Sequence, residues 1–254
     1  MWLGDKATVK REQSEAKMWR WLGSVARAAR NVRWGRSWTS YARVQALIGT
    51  YRRNRSFQIR SSRVHGKTYL NVGCGANTQP VFLNLDYTWH PGIDLCWDIR
   101  QGIPLASGSM QGIFSEHCLE HFSLPTVRFV LKEFRRLLQP SGTLRLVLPD
   151  AGLYLGLYAQ RVAGEISPPF PYEDADRRCG LRSPLVSVNR LFYLDRDSSA
   201  GHRCMFDADL LAELLVEAGF QEVECCTFRR GRDPRLLIDS ETRQIESLYC
   251  EATI

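Results

Sequence analysis

The sequence predicts an α/β fold built on a doubly wound, mostly parallel sheet. Three observations carry that prediction: short apolar runs alternate with helix-period segments, a glycine pair follows the first run, and acidic or polar residues recur at the ends of the others. Tyr69–Val72 is apolar and runs into Gly73-Cys74-Gly75, as a buried strand entering a tight turn does. Val81–Leu85 reads as a second strand ending at Asp86, and Asp94–Ile99 as a weaker third. Gly112–Ser115 begins a fourth. An amphipathic helix follows, with Val127, Val130, Leu131, Phe134, Leu137 and Leu138 on one face and Pro140-Ser141-Gly142 as its stop signal. Thr143–Leu148 is nearly all apolar, like a central parallel strand covered on both faces. Asp207 precedes a helix bearing Leu210, Leu211, Leu214, Leu215 and Ala218, closed by Gly219, and strands at 221–228 and 247–253 complete the set.

The chain of 254 residues divides into a basic, Trp/Arg-rich N-terminal extension over 1–65 and an α/β domain over 66–254. The extension holds 15 Lys or Arg against 3 Asp or Glu, so the net charge of +7 comes from it alone and the remainder is acidic. Within it Met18, Leu22, Val25, Ala29 and Val32 recur at helical spacing opposite Lys17, Arg20, Arg27 and Asn31, with Trp19, Trp21, Trp34 and Trp38 interleaved. A basic amphipathic helix with tryptophans suits an anionic membrane surface, contacted through residues 1–60. Nucleic acid is the less favoured partner, and a helix that merely packs on the domain is the plain alternative. The composition predicts no transmembrane helix and no secretory signal, hence a cytoplasmic protein, peripheral at the inner membrane face if the extension binds lipid. The eight cysteines contain no C-x-x-C pair and read as reduced thiols.

The polar residues with chemical potential sit where a doubly wound sheet places its ligand, beyond the carboxyl ends of the strands. Gly73 and Gly75 let the backbone approach a ligand closely, and Asp86 offers two acceptor oxygens to a pair of hydroxyls. Asp98 follows the third strand and suits an amine donor; Ser115–His121 follow the fourth, and Asp150 ends the fifth. Each alone is ordinary, since a G-x-G is commonly a turn and a strand-end Asp commonly a helix cap. Their shared rim is what points to a site.

The ordered segments Leu70-Asn71-Val72-Gly73-Cys74-Gly75, Asn84-Leu85-Asp86, Ser115–His121, Arg136–Gly142 and Leu148-Pro149-Asp150 resemble the class I S-adenosylmethionine-dependent methyltransferases, in the branch carrying a "methyltransferase type 11" domain. The resemblance continues through His202, Phe206 and Ala218-Gly219-Phe220 to Tyr249. It implies a Rossmann-like fold with helices on both faces of the sheet. It also implies that Asn71, Gly73, Cys74, Gly75, Asp86, Asp98, Ile99, Ser115 and His117 surround S-adenosylmethionine. On that basis Asp86 binds the ribose and Asp98 with Ile99 the adenine. The implied reaction is metal-free methyl transfer to an oxygen or nitrogen of a glycan or small metabolite. His121 is the favoured base, with His117 and Asp150 behind it.

Two departures matter. Asn77 stands where a third glycine is common, and Asp86 lies only 11 positions after Gly75, too close for a dinucleotide site. His117-Cys118-Leu119-Glu120-His121 also matches the H-x-x-E-H pattern of zinc peptidases, but it follows a strand directly and lacks a separate downstream glutamate motif. A catalytically inactive adaptor with a membrane- or nucleic-acid-binding arm is the non-enzyme alternative. Residues 164–200 interrupt the alternation and read as a substrate-side insertion.

Overall fold

The computed structural model of the protein describes residues 41–55, 59, 64–192 and 201–254. The amphipathic helix expected at Met18–Val32 lies outside them. Strands β1 (Tyr69–Val72), β2 (Leu83–Asp86), β3 (Leu95–Cys96), β4 (Met110–Glu116), β5 (Leu138–Pro149), β6 (Glu222–Cys226) and β7 (Ser247–Thr253) form one sheet in the order β3-β2-β1-β4-β5-β7-β6. The first five pair in parallel, whereas β7 is antiparallel to both β5 and β6. The order reverses between β1 and β4, and a crevice opens there beyond the carboxyl ends.

Periodicity explains the cover of this sheet. Helix α1 (Tyr41–Arg52) is followed along the chain by α2 (Leu124–Leu137), α3 (Ala151–Val162), α4 (Glu173–Asp176), α5 (Leu185–Phe192) and α6 (Ala208–Ala218). The apolar stripe of α2 (Val127, Val130, Leu131, Phe134, Leu137) and that of α6 (Leu211, Leu214, Leu215, Ala218) share one core with Leu70, Ile113, Leu144 and Leu146. Burying each such side chain contributes about 1.5–3 kcal/mol. The opposite face packs Tyr69, Phe82, Phe114, Val147 and Tyr249 against Leu236, which sits on the 3₁₀ turn Pro234–Leu236.

Three local expectations change. Strand β2 starts at Leu83 because Phe82 N–H turns back to the Gln79 carbonyl and Val81 is exposed. The third strand shrinks to Leu95–Cys96, since Asp98 caps a 3₁₀ turn over Ile99–Gln101 by accepting from the Arg100 N–H. Pro140-Ser141-Gly142 does not stop α2: that helix ends at Leu137, and the three residues form an excursion inside β5. There the register against β4 jumps from Met110↔Leu138 to Gly112↔Thr143, and Ser141 takes φ 64°. Such an insertion of unpaired residues is a bulge.

The end of the N-terminal extension packs on the sheet edge. Asn54 N–H donates to the Cys96 carbonyl at 3.2 Å, and its side chain accepts from the Asp98 N–H at 2.9 Å. The insertion after α3 folds back on that helix, where Phe170, Val188 and Leu191 bury Tyr154 and Leu157. Among the described residues no helix is long and apolar enough to cross a membrane.

Candidate functional site

The site begins with two glycines that hold left-handed backbone, Gly73 at φ 66° and Gly75 at φ 49°. That region penalises any residue with a Cβ. The turn they make aims the Gly75 N–H at Asp86 Oδ2, 2.9 Å away, while the Thr88 N–H reaches Oδ1 at 2.7 Å. Each carboxylate oxygen thereby spends one acceptor direction and keeps another. The loop is pinned from below by Asn71, buried, whose amide donates to the Asn77 carbonyl at 2.8 Å and to Asn84 Oδ1 at 3.3 Å.

A cleft of about 580 Å³ opens above this loop. Among the expected residues, Gly73, Asp86, Asp98, Ile99, His117 and His121 line it. Asp98 is gripped by the Arg100 guanidinium at 2.8 and 2.7 Å, and this hydrogen-bonded pairing holds its carboxyl below the usual range. His117 sits at the end of β4 with φ 46°, and burial, helped by the Arg243 charge, pushes its imidazole down to about 3. That makes it a weak proton acceptor. His121 keeps 31% of its side chain exposed and stands against His202, ring centroids 5.0 Å apart.

Other expected residues do structural work and are absent from the cleft lining. Cys74 is buried with Ile93 and Cys96, and Gly75 acts through its N–H toward Asp86. Ser115 is buried and its hydroxyl donates to the Val72 carbonyl at 3.1 Å. Asp150 caps α3, accepting from the Leu153 N–H at 3.1 Å, which is the ordinary fate of a strand-end Asp. Conversely Thr88, Trp97, Cys118 and Arg203 line the cleft although they are not among the expected residues. Thr88 was detectable as the second residue past a strand-end Asp, the position whose N–H an Asx turn uses.

Glu120 is the other residue whose importance only the structure reveals. It is 1% exposed, and burial raises its carboxyl to about 8. His117, Glu120 and His121 do not share a helix: Leu119–His121 is a single 3₁₀ turn, so the peptidase-like arrangement of two histidines on one helical face does not form.

The residues present fit S-adenosylmethionine. The glycine loop has open space over Gly75, where an added Cβ would meet nothing within 4 Å, and the cleft volume falls in the range of small-molecule sites.

Residues 76–146 match the family model described as a methyltransferase domain. No curated protein matches the chain in sequence. Among solved structures, a possible histamine N-methyltransferase of Thermotoga maritima is similar at 17% identity and a TM-score of 0.43, covering 73% of this chain and 81% of that one. An S-adenosylmethionine-dependent methyltransferase of Mesorhizobium loti aligns at 15% identity and TM-score 0.44, over 78% and 95% of the two chains. The 1,6-didemethyltoxoflavin-N1-methyltransferase of Burkholderia thailandensis, solved with its substrate and S-adenosylhomocysteine, aligns at 12% and 0.40, over 73% and 69%. These distant likenesses assign neither acceptor nor residue roles. What the comparisons show is a match to a methyltransferase domain over residues 76–146 of the chain.

Proposed function

We propose that the protein transfers the methyl group of S-adenosylmethionine to an oxygen or nitrogen of a small-molecule or glycan acceptor in the cleft between β1 and β4. The observation that carries this reading is the convergence of Gly73, Asp86, Asp98, Ile99, His117 and His121 on that one cleft. When bound, the sulfonium supplies an already activated methyl, so the protein's tasks are alignment and exclusion of water. Asp86 offers its remaining acceptor directions to the two ribose hydroxyls, with its oxygens oriented by the Gly75 and Thr88 N–H groups. Asp98 and Ile99 take the adenine side. His121, the more open of the two histidines that line the cleft, stands on the acceptor side and receives a proton from an acceptor that must lose one.

The insertion after α3 supplies the acceptor wall. Its helix α5 ends beside His202, whose Nδ1 bonds to the Leu191 carbonyl at 2.7 Å, and His202 in turn stacks edge-on against His121. Incubating the protein with methyl-labelled S-adenosylmethionine and panels of hydroxyl- and amine-bearing acceptors tests the reading. Formation of S-adenosylhomocysteine together with a labelled acceptor supports it. Cofactor binding without turnover on any panel favours the inactive adaptor instead.

A further inference from the structure

The cluster around Glu120 has an electrostatic problem that hydrogen bonds do not solve. Ser247 donates its hydroxyl to the Arg243 carbonyl at 2.7 Å, so its oxygen accepts from His117 Nε2–H at 2.8 Å. His117 is thereby fixed with a lone pair on Nδ1, which faces Glu120 Oε1 at 3.6 Å. His202 donates Nδ1–H to the Leu191 carbonyl, leaving the Nε2 lone pair 4.0 Å from the same oxygen. His121 Nε2 lies 3.8 Å from it. Neither Glu120 oxygen has a hydrogen-bond partner among the described residues, and the side chain is 2% exposed. The His117 and His202 lone pairs thus face a buried carboxyl group at separations too long for a shared proton.

Positive charge placed between them resolves the conflict. One donor atom from each of Glu120, His121 and His202 lies within 4.8 Å of the others. A tetrahedral zinc ion, with bonds of about 2.0–2.1 Å, spaces its donors about 3.3–3.4 Å apart, which small side-chain rotations reach from here. We propose that Glu120, His121 and His202 bind a divalent transition-metal cation, zinc matching the two-histidine, one-carboxylate set best, with a fourth position open toward the cleft. The supporting shell is present. A ligating histidine commonly donates its other N–H to a carbonyl, as His202 does to Leu191. The Arg203 and Cys204 N–H groups both donate to the Glu120 carbonyl, at 2.7 and 3.1 Å, tying the two halves of the site together.

This departs from the metal-free chemistry that the sequence resemblance implies, and from the peptidase pattern too, because Glu120 is a ligand and the third donor comes from residue 202. One consequence rests on the methyl-transfer reading: His121 then serves as ligand, and a cation at the acceptor side acidifies an acceptor hydroxyl in place of the imidazole. The metal site itself does not depend on that reading.

The test uses tag-free full-length protein without S-adenosylmethionine, loaded with cobalt(II) and then zinc(II). Expected are about one equivalent of bound metal, the visible bands of tetrahedral cobalt displaced by zinc, and affinity at least about tenfold weaker in Glu120→Gln and in His202→Gln, both still folded by circular dichroism. Folded wild-type protein that binds neither metal overturns the proposal, as does binding that both substitutions leave unchanged. Because no cofactor is present, either result leaves the methyl-transfer reading to its own test.

Discussion

Cys118 occupies the space that a side chain on Gly73 would need: a Cβ built on Gly73 lies 2.4 Å from the Cys118 sulfur and 2.7 Å from its Cβ. The loops after β1 and β4 are thus in contact across the switch point, and that contact forms the floor of the cleft. Gly73→Ala should destabilise the fold by about 1–3 kcal/mol, from overpacking and from the left-handed backbone together. Adding Cys118→Ala should recover only part, since the φ of 66° stays unfavourable. Urea unfolding of the two variants measures both effects.

The same contact governs thiol chemistry. Burial first, and then the nearby Glu120 and Asp86 charges, raise the Cys118 thiol above its ordinary range, and burial raises Cys74 likewise. A raised pKa leaves less thiolate at a given pH, and thiolate is the nucleophile. At pH 8 iodoacetamide should modify exposed Cys225 well before Cys118 or Cys74 in the folded protein, with peptide mass spectrometry giving the order. Fast modification of Cys118 at that pH would contradict the burial argument.

Arg145 holds the sheet from inside. It is 0% exposed and pairs with Asp239 at 2.8 and 2.6 Å and with Glu251 at 2.9 Å. Removing one partner of a buried ionic group strands the rest, at a cost of about 3–5 kcal/mol. Arg145→Met should therefore lose stability on that scale in denaturant melts while leaving the cleft residues in place. A change under about 1 kcal/mol would mean that the network contributes little.

His121 and Asp150 should separate cleanly, although the sequence ranks both as bases. His121→Ala is expected to lower turnover about 100-fold or more with cofactor affinity retained, the scale of a lost proton acceptor and the direction expected for a lost metal ligand too. Asp150→Asn should cost at most about 2 kcal/mol of stability as a weakened cap and spare turnover. Steady-state kinetics beside thermal melts distinguish the two.

The strands and helices were legible because their periodicity reports burial directly: β1, β7 and the stripe of α2 up to Leu137 fall where the apolar pattern puts them, whereas Leu138, expected on that stripe, opens β5. Pro140-Ser141-Gly142 misled because a turn signal says that the chain departs from regularity, not which element contains the departure. Within the site, Gly73, Asp86 and His121 were readable from strand ends. The partnership of Glu120 with His202 was not, because 82 positions separate them and only the return of the chain to the Glu120 carbonyl brings them together. Asp150 and Ser115 occupy the right end of the sheet, but Asp150 turns into its own helix cap and Ser115 into the Val72 carbonyl of the neighbouring strand, a choice that no spacing encodes.

The central claim is that the Gly73–Asp86 cleft holds S-adenosylmethionine, and titration calorimetry with S-adenosylhomocysteine tests it most directly. Folded wild-type protein should bind one equivalent, and Asp86→Ala should weaken binding by about 1.5–3 kcal/mol, roughly 10- to 150-fold, the range for a hydrogen bond to a charged group. No binding to folded wild-type protein, or binding that the loss of the Asp86 carboxylate leaves unchanged, would contradict the account.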